Sequence, residues 1–410
     1  MKIDFARLNH ILIPTTSSER DRLRATRSGK TLFFFFGFFS SLTDEGRTLA
    51  VLTPLIGALA VDVRRTTAYV VFALLAALLV ASLVAGRTLV LHGTTVQVHA
   101  PRRVTIGDEL TFTIRCRREG GDDASASSIR VRGPFLPYDG RWTGIPLDEM
   151  VLGSEAVTAT MKARFAARGL HHLDPFSAAL VAPLGLAVGP RVGSSSVEVY
   201  VVPKIANIAR LPTTIAARHQ PGGVALASKH GESMELAGVR PYRPGDPVRD
   251  LHARTWARTG VPAVREYQQE YFTRVGVILD SNASDPDLLE AAISLAAGVV
   301  ARLSRGEALI DVLVVGDRVH ELTVGRSLGR LDQALELLST VVRGPRLDAT
   351  RLVRRIEPHL AQLSSVVAIV VESNADELAA ILKLRGISCT TIVVDAMLAS
   401  AIASGEALAW

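Results

Sequence analysis

Cysteine is scarce in this chain. The 410 residues include only Cys116 and Cys389, which stand far apart in the sequence and do not have the spacing of metal ligands. We predict that both are free thiols in separate domains, because structural disulfides persist mainly in oxidising compartments. The scarcity of cysteine therefore favours a cytoplasmic location for the folded part of the chain.

Motifs of two common enzyme classes are missing as well. The chain has no Gly-x-x-x-x-Gly-Lys-Ser/Thr loop and no His-Glu-x-x-His sequence, so we expect neither a P-loop ATP site nor a zinc-protease site. His252 and Asp246 are candidates for an acid–base pair, but no nucleophile stands beside them. We predict a protein without enzymatic activity. The alternative is a membrane-bound hydrolase or transferase that uses His252 and Asp246.

Apolar residues, in contrast, make up 48% of the chain, and the mean hydropathy is +0.27. Residues 66–86 contain no charge, and this length meets the roughly 20 residues that a helix needs to cross a bilayer. Residues 48–61 are also uncharged and include Pro54. With charged residues at both ends, the two runs predict a transmembrane helical hairpin over residues 47–87. The alternative for each run is a buried helix of a soluble domain.

The start of the chain is strongly basic and is followed by a phenylalanine-rich run. By the positive-inside rule, such a tail stays in the cytoplasm, and two crossings return the chain there. Residues 31–43 are uncharged but too short to span, so we predict an interfacial segment within residues 1–46. A third crossing at this run would place everything after Arg87 outside. The basic residues of the tail are Lys2, Arg7, Arg20, Arg22, Arg24, Arg27 and Lys30.

The basic tail and the flanks of the hairpin explain much of the net charge of +6. Anionic lipid is the nearest partner for charge at these places. We therefore expect a membrane partner and no nucleic acid.

Beyond the hairpin, the hydrophobic pattern changes twice. Residues 88–205 contain short alternating runs such as ELTFTIRCR and VEVYVVP, which predict an antiparallel β-sandwich. Residues 206–272 form a connector and a Pro- and Arg-rich segment. In residues 273–410, apolar strands alternate with helical patterns, which predicts an α/β domain with a mostly parallel sheet. Ligands of such sheets bind at the carboxyl ends of strands, where Asp280 and Asp395 should lie.

The Pro- and Arg-rich segment is GVRPYRPGDPVRDLHARTWARTGVPAVREY, residues 238–267, with six arginines and four prolines. Proline excludes a continuous helix, and Pro-Gly-Asp has the chemistry of a turn. We predict a fixed loop in which some arginines pair with nearby acids and others face an acidic partner. The alternative is that all of them are structural. The residues of this predicted partner-binding motif are Arg240, Tyr242, Pro244, Gly245, Asp246, Arg249, His252, Arg258, Arg265 and Glu266.

This motif and the order of the regions together resemble the bacterial domain-of-unknown-function 58 family. The shared pattern is Gly-x-Arg-x-Tyr-x-Pro-Gly-Asp at residues 238–246, leading into a strand that ends in Asp280, with support from ARFAARG and APLGL. The resemblance implies a multidomain fold: a transmembrane helical hairpin, a β-sandwich and an α/β domain similar to von Willebrand factor type A domains. One departure is visible, because the usual Ile-His-Trp is replaced by Leu251, His252 and Ala253, with Trp256 nearby.

The resemblance also implies partners and a location. Proteins of this family are thought to be membrane-anchored adaptors that act with an AAA+ ATPase of the MoxR type on client proteins. The expected location is the bacterial inner (cytoplasmic) membrane, with a multi-pass anchor and a cytoplasmic C-terminal region.

A divalent metal site is a further implication of the resemblance. The von Willebrand-like adhesion motif is Asp-x-Ser-x-Ser, and this chain has Asp280, Asn282 and Ser284. Their oxygen atoms suit Mg²⁺ or Mn²⁺. The threonine that the motif expects on a later loop has no clear counterpart, since Leu347 stands near its place. Glu372, at the end of the next strand, could serve as a ligand where an aspartate is usual. We expect a degenerate site that either binds a metal ion or is vestigial, with Asp280 capping the turn.

Overall fold

The computed structural model describes most of the chain. It covers residues 37–59, 66–118, 127–144, 150–153, 155–211, 235–246, 248–268, 274–283, 285–306, 309–324, 328–345, 347–371 and 375–409, with a few isolated positions before residue 31. The chain divides at Lys204 and Ile205 into two compact units. Two residues of the predicted metal site, Ser284 and Glu372, lie outside the described residues, as does most of the phenylalanine-rich run.

Two helices begin the described part of the first unit. Helix α1 spans Asp44–Leu59 and contains Pro54, and helix α2 spans Thr66–Thr88. In the described chain, α2 is the one helix long and apolar enough to cross a membrane, and its surface is almost entirely exposed. The helices pack together, since a side chain at Gly57 of α1 would lie 2.9 Å from the ring of Phe72. Helix α1 is shorter, so the second crossing of the predicted hairpin is not shown.

The remainder of the first unit is β-structure in three sheets. Their strand orders are β1-β3-β7-β5, β10-β9-β4-β6 and β2-β11-β8, and all pairs are antiparallel except β2 with β11. The strands are β1 (Thr94–His99), β2 (Arg103–Thr105), β3 (Glu109–Arg118), β4 (Ser127–Arg132), β5 (Gly140–Gly144), β6 (Met150–Leu152), β7 (Val157–Phe165), β8 (Gly169–Leu173), β9 (Ser177–Leu180), β10 (Val192–Gly193) and β11 (Val197–Val202).

One hydrophobic core serves these sheets. Buried and exposed residues alternate along β7, as the period of two in its sequence predicts. Phe112 and Phe176 are fully buried, and the ring of Trp142 meets Phe112 edge to face with centroids 5.7 Å apart. Residues from strands of all three sheets belong to the same core. The β-rich region predicted by the alternating runs is therefore present.

The second unit contains a two-stranded ribbon and an α/β sheet. The five described strands of the α/β sheet have the order β17-β16-β15-β18-β19 and are parallel except for β17. The strands of the unit are β12 (Ile208–Arg210), β13 (Glu235–Pro241), β14 (Ala263–Gln268), β15 (Arg274–Asp280), β16 (Leu309–Val315), β17 (Val319–Val324), β18 (Ser365–Val371), β19 (Ser388–Val394) and β20 (Leu408–Ala409). The helices are α3 (Ala253–Thr259), α4 (Pro286–Leu303), α5 (Leu328–Ser339), α6 (Ala349–Leu360), α7 (Ala375–Leu384) and α8 (Ala396–Ser404).

Continuous apolar runs explain the central strands. Every residue of β18 is buried, and only the first residue of β15 is partly exposed, as expected for strands covered on both faces. Helix α4 begins where Asp285 accepts a hydrogen bond from the backbone of Asp287, with Pro286 at the first helical position. The carboxyl ends of β15, β16 and β18 meet at one edge, which positions Asp280.

Asp395 follows the carboxyl end of β19, which runs parallel to β18, so it lies at the edge of the sheet where the sequence predicted it. In the structure its carboxylate accepts a hydrogen bond of 2.7 Å from the backbone nitrogen of Leu398 and caps the start of α8. The side chain of Asp395 therefore stabilises a helix that the sequence analysis did not predict.

Candidate functional site

The carboxyl edge of the α/β sheet is tightly packed around Ser281, which follows β15. Its backbone nitrogen and its hydroxyl both donate to the carbonyl oxygen of Val315, at 3.0 and 2.9 Å. Gly344 donates from its backbone nitrogen to the carbonyl oxygen of Ser281 at 3.1 Å. A Cβ atom at Gly344 would lie 2.5 Å from the Ser281 hydroxyl and 2.8 Å from Gly316. Only glycine fits between these loops, which fixes the backbone beside Asp280.

Asp280 is a buried carboxyl group with an elevated pKa. It is 5% exposed, and one carboxylate oxygen accepts a hydrogen bond of 3.0 Å from the backbone nitrogen of Asn282. Burial raises the pKa of Asp280 to about 6, although the Asn282 hydrogen bond acts in the opposite direction. A nearby cation would stabilise the ionised form of Asp280 and would lower its pKa.

The described residues supply only part of a metal site. Asp280 and Asn282 lie together, whereas Ser284 and Glu372 lie outside the described residues. Leu347 is 5% exposed and belongs to the apolar core, so this position offers no oxygen ligand. In the described parts of the chain, no group of three or more His, Cys, Asp or Glu side chains is arranged to hold a metal. Of the predicted ligands, the described residues include only Asp280 and Asn282, and an Mg²⁺ ion bound by them would take its other ligands from water. We assign no chemistry to a metal here.

The predicted partner-binding motif folds as a ribbon with a compact insertion. We call β13, β14 and the connecting residues 242–262 the motif ribbon. β13 and β14 pair antiparallel, and a 3₁₀ turn at Val248–Asp250 and the short helix α3 lie between them. The insertion folds back on β14, because the backbone nitrogen of His252 donates to the carbonyl oxygen of Ala263 at 2.8 Å. The segment is therefore neither one helix nor an open loop.

An ion pair within the motif ribbon closes its Pro-Gly-Asp turn. The guanidinium group of Arg240 donates two hydrogen bonds to the carboxylate of Asp246, at 2.7 and 2.8 Å. Asp246 also accepts from the backbone nitrogen of Arg243 at 2.8 Å, and Gly245 has φ of 105°. The Arg240 hydrogen bonds, followed by the Arg243 backbone hydrogen bond, lower the pKa of Asp246 to about 2. This pair is the internal type that the sequence predicted for some of the arginines.

His252 has a structural contact of its own. It precedes α3, and its Nδ1 accepts a hydrogen bond of 3.2 Å from the backbone nitrogen of Thr255 and lies 2.7 Å from the Thr255 hydroxyl. The imidazole thus caps the helix. Asp246 is bound by Arg240 and Arg243, so the described contacts engage His252 and Asp246 separately. The acid–base pair of the enzyme hypothesis gains no support from these contacts.

The remaining arginines of the motif are turned to solvent. Arg249, Arg258 and Arg265 are exposed, as is Arg254 of α3. Arg249 approaches Asp250 at 3.9 Å, but its side chain is 82% exposed, so this contact contributes little to stability. The side chain of Glu266 lies outside the described residues. The exposed arginines leave the prediction of a partner-facing set untested, whereas Arg240 forms an internal pair.

Exposed apolar side chains accompany these arginines. Trp256 of α3 is 44% exposed, Val248 72% and Val261 54%. Trp256 therefore presents its indole ring on the solvent-facing side of a short helix. A partly exposed tryptophan on a fixed loop is typical of a binding surface.

The sequence analysis missed a serine motif in the second unit. Residues 325–329 read Gly-Arg-Ser-Leu-Gly, the Gly-x-Ser-x-Gly pattern of α/β-hydrolases. Ser327 lies outside the described residues, between β17 and α5. β17, the strand that precedes the motif in sequence, runs antiparallel to β16, so the carboxyl end of β17 lies at the opposite edge of the sheet from Asp280.

Comparisons with known proteins give limited information. No protein-family model and no curated protein matches the chain. Solved structures that match include a conjugative transposon lipoprotein from Bacteroides eggerthii, at 17% identity over 27% of this chain and 97% of that chain, with a TM-score of 0.17. A CARDB domain from Pyrococcus furiosus matches at 15% identity over 27% of this chain and 87% of its own length, with a TM-score of 0.17.

A cohesin module from a family 33 glycoside hydrolase of Clostridium perfringens matches at 12% identity, over 26% of this chain and 96% of that chain. Its TM-score is 0.17. With TM-scores this low, none of these structures supports an argument about fold or function, and the family of the chain is not established by comparison.

Proposed function

We propose that this chain is a membrane-anchored, non-enzymatic adaptor of the domain-of-unknown-function 58 family. In this proposal the motif ribbon binds an AAA+ ATPase of the MoxR type, and the two proteins act together in the assembly or maturation of client proteins. The protein is anchored in the bacterial inner membrane by α1 and α2, with both folded units in the cytoplasm.

The observation that carries this proposal is the composition of the motif ribbon. Trp256 is 44% exposed on α3, close in sequence to the exposed Arg254 and Arg258. Tryptophan and arginine are the residues most enriched among those that dominate binding energy at protein interfaces. The Arg240–Asp246 pair holds the loop in one shape before binding, which reduces the entropic cost of docking. These features suit recognition of a carboxylate-rich partner surface.

The α/β sheet supports the second part of the proposal. An order with β15 at the centre and one antiparallel edge strand, β17, is compatible with a von Willebrand factor type A-like domain. Asp280 is at the position at which such a domain would hold a metal ion. The substitution at Leu347 and the elevated pKa of Asp280 favour a degenerate site, so partner binding is proposed to depend on the motif ribbon rather than on the metal.

The anchor is supported by α2. Its sequence is mostly apolar and few of its residues are buried, and the burial of such a surface in lipid removes it from water. Helix α1 packs against α2 and exposes Val51, Leu52 and Leu55. We propose that α1 completes a hairpin with α2, which together with the basic N-terminal tail leaves the C-terminal units in the cytoplasm.

Affinity purification of the full chain from native membranes tests the adaptor function. The proposal predicts that an AAA+ ATPase of the MoxR type copurifies and that Trp256→Ala weakens its retention by thirtyfold or more, about 2 kcal/mol for a central interface residue. Met397→Ala is the matched control, because Met397 is an exposed apolar residue of α8, outside the motif ribbon. Equal retention by both variants would contradict the assignment of the surface.

A further inference from the structure

The first unit contains a packed junction between its helices and its β-structure. Leu42 pairs with Ala187 in an antiparallel bridge, and the backbone nitrogen of Thr43 donates to the carbonyl oxygen of Leu186 at 3.1 Å. A side chain at Gly46 would lie 1.8 Å from that same oxygen. The start of α1 therefore lies in direct backbone contact with the loop between β9 and β10.

The end of α2 meets the same loop. A Cβ atom at Gly189 would lie 2.1 Å from the carbonyl oxygen of Leu89 and 3.0 Å from that of Gly86. The start of α1 and the end of α2 both contact this loop and therefore lie at the same height along the helix axes. If α2 crosses the membrane, this level is the headgroup region. Phe38 and Phe39 precede α1, and Phe39 is 39% exposed, which suits an apolar side chain that enters the boundary between headgroups and acyl chains.

Three arginines converge at this junction. Arg47 belongs to α1, Arg132 ends β4 and Arg191 precedes β10, and β4 and β10 flank β9 in one sheet. Burial is the main cause of a lowered pKa at Arg132 and at Arg191, where the pKa falls to about 10. The charge of Arg47 contributes to both shifts, and the charge of Arg132 contributes at Arg191. Contacts also bring the three together: Arg47 donates to the carbonyl oxygen of Phe39 at 2.9 Å, and Arg191 donates to the next carbonyl, of Ser40. Arg191 also donates to the hydroxyl of Ser177, which lies opposite Arg132 between β9 and β4. The three guanidinium groups therefore lie close enough to repel one another. We call them the junction cluster.

The described acids near the junction offset only part of its charge. Asp44 forms an ion pair of 2.8 Å with Arg47 and acts against the lowered pKa of Arg132, but the Asp44 side chain is 79% exposed. Glu45 pairs instead with Arg130, at 3.5 Å. Within the described part of the chain, no carboxylate is bound to Arg132 or Arg191. The guanidinium group of Arg191 donates instead to two neutral oxygens, the carbonyl of Ser40 and the hydroxyl of Ser177. The junction therefore has excess positive charge in a partly desolvated place.

We propose that the junction cluster binds the phosphate of an anionic phospholipid headgroup. The guanidinium forks provide paired donors that match phosphate oxygens. Binding of an anion relieves the mutual repulsion, and an anionic headgroup does so better than a zwitterionic one, which brings its own cation. The inference rests on the proposed membrane anchor, because only a membrane-spanning α2 places the junction at headgroup level.

Native mass spectrometry of the full chain in detergent tests this site, with phosphatidylglycerol, phosphatidylcholine and inorganic phosphate as probes. We expect retention of phosphatidylglycerol in preference to phosphatidylcholine and no displacement by inorganic phosphate. Arg132→Gln should weaken phosphatidylglycerol binding about fivefold, the contribution of one basic residue at an anionic membrane surface. Arg132→Lys should retain most of the binding. The control is Arg115→Gln with Arg117→Gln, which removes two exposed arginines of β3.

Three results would overturn the site. They are equal binding of the two lipids by the unmodified chain, displacement of lipid by inorganic phosphate alone, and unchanged lipid preference in the Arg132→Gln variant with Arg191→Gln added. Melting curves of each variant show whether the fold is retained, and Arg132→Lys keeps the test valid if Arg132→Gln does not fold.

Carbonate extraction of membranes distinguishes a failure of the headgroup site from a failure of the proposed membrane anchor. Release of the unmodified chain would refute both, whereas retention without lipid preference would refute only the headgroup site.

Discussion

Arg240 and Asp246 form a two-point ion pair across the Pro-Gly-Asp turn, with hydrogen bonds of 2.7 and 2.8 Å. The same carboxylate accepts the backbone N–H of Arg243. One side chain thereby joins the end of β13 to the turn that follows it. The sequence pattern places a charged pair here because the two residues are six positions apart and a tight turn brings them together.

Neutralisation of Asp246 should destabilise the motif ribbon. We expect Asp246→Asn to lower the melting temperature of the full chain in detergent, because it removes the charge from the Arg240 pair. The matched control is Asp250→Asn, since the ion pair of Asp250 among the described residues is with the exposed Arg249, at 3.9 Å. Equal melting temperatures for Asp246→Asn and the unmodified chain would show that the pair does not stabilise the ribbon.

Low pH should also destabilise the motif ribbon, because it protonates Asp246. The pKa of Asp246 is lowered to about 2 in the folded chain, below its ordinary value, so the stabilisation is complete above the unfolded-state pKa of about 4. It is lost as the pH falls from about 4 through 2. In Asp246→Asn this part of the pH dependence should disappear, which melting curves across that interval measure.

Asp280 should show the opposite pH dependence. Its pKa is raised to about 6 by burial, so its contribution to stability is complete below about pH 4 and is lost as the pH rises through 6. The loss corresponds to about 3 kcal/mol for a shift of about two units. We expect Asp280→Asn to remove this pH dependence and to stabilise the metal-free protein at neutral pH.

The same residue tests the metal hypothesis. Mg²⁺ or Mn²⁺ at millimolar concentration should raise the melting temperature at neutral pH if Asp280, Asn282 and Ser284 bind the ion, because a ligand of the folded state stabilises it by mass action. Asp280→Asn should abolish the increase. An unchanged melting temperature of the unmodified chain would identify the site as vestigial.

Variants of His252 distinguish the proposed adaptor function from the alternative hydrolase function. His252→Ala removes the helix cap and should cost about 1 kcal/mol, whereas His252→Asn preserves a capping side chain. The adaptor account predicts that His252→Asn retains the ATPase partner. A hydrolytic activity of the unmodified chain that is lost in His252→Asn would contradict it. Loss in Ser327→Ala instead would point to the Gly-x-Ser-x-Gly motif.

A measurement of the membrane topology by cysteine labelling requires an introduced thiol. Burial raises the pKa of Cys389 to about 12 and that of Cys116 to about 11, so both native thiols react poorly on either side of a membrane. Leu384→Cys places a thiol at an 88% exposed position of the second unit. We expect a membrane-impermeant maleimide to label this variant only after cells are permeabilised. Labelling in intact cells would place the C-terminal units outside.

Strong local patterns allowed much of the second unit to be predicted. The runs that became β15, β16 and β18 are apolar and bounded by turn residues, and β17 was expected from its hairpin-like spacing. The helix at Ala375–Leu384 was also placed closely. Helix α8 was missed because its sequence is apolar without a clear period, and only its cap at Asp395 marks its start.

The sites were less predictable because they depend on contacts between distant segments. The Arg240–Asp246 pair is local in sequence and was anticipated. The junction cluster was not, since α2 and strands β1 to β9 lie between Arg47 and Arg191 in the sequence. No local pattern shows that the loop ending at Gly189 meets the ends of both helices; only the packed backbones at Gly46 and Gly189 show it.

A binding measurement between the full chain in detergent and a purified MoxR-type ATPase from the same genome tests the central claim most directly. The account predicts that Arg258→Glu leaves the melting curve unchanged and weakens binding about tenfold at low salt, with a smaller effect at high salt. Arg305→Glu, an exposed arginine after α4, should bind as the unmodified chain does. The contradicting result is that charge reversal at each of Arg254, Arg258 and Arg265 lowers the melting temperature and that no reversal weakens binding without this loss of stability. The motif ribbon would then be purely structural, and the adaptor surface would be contradicted.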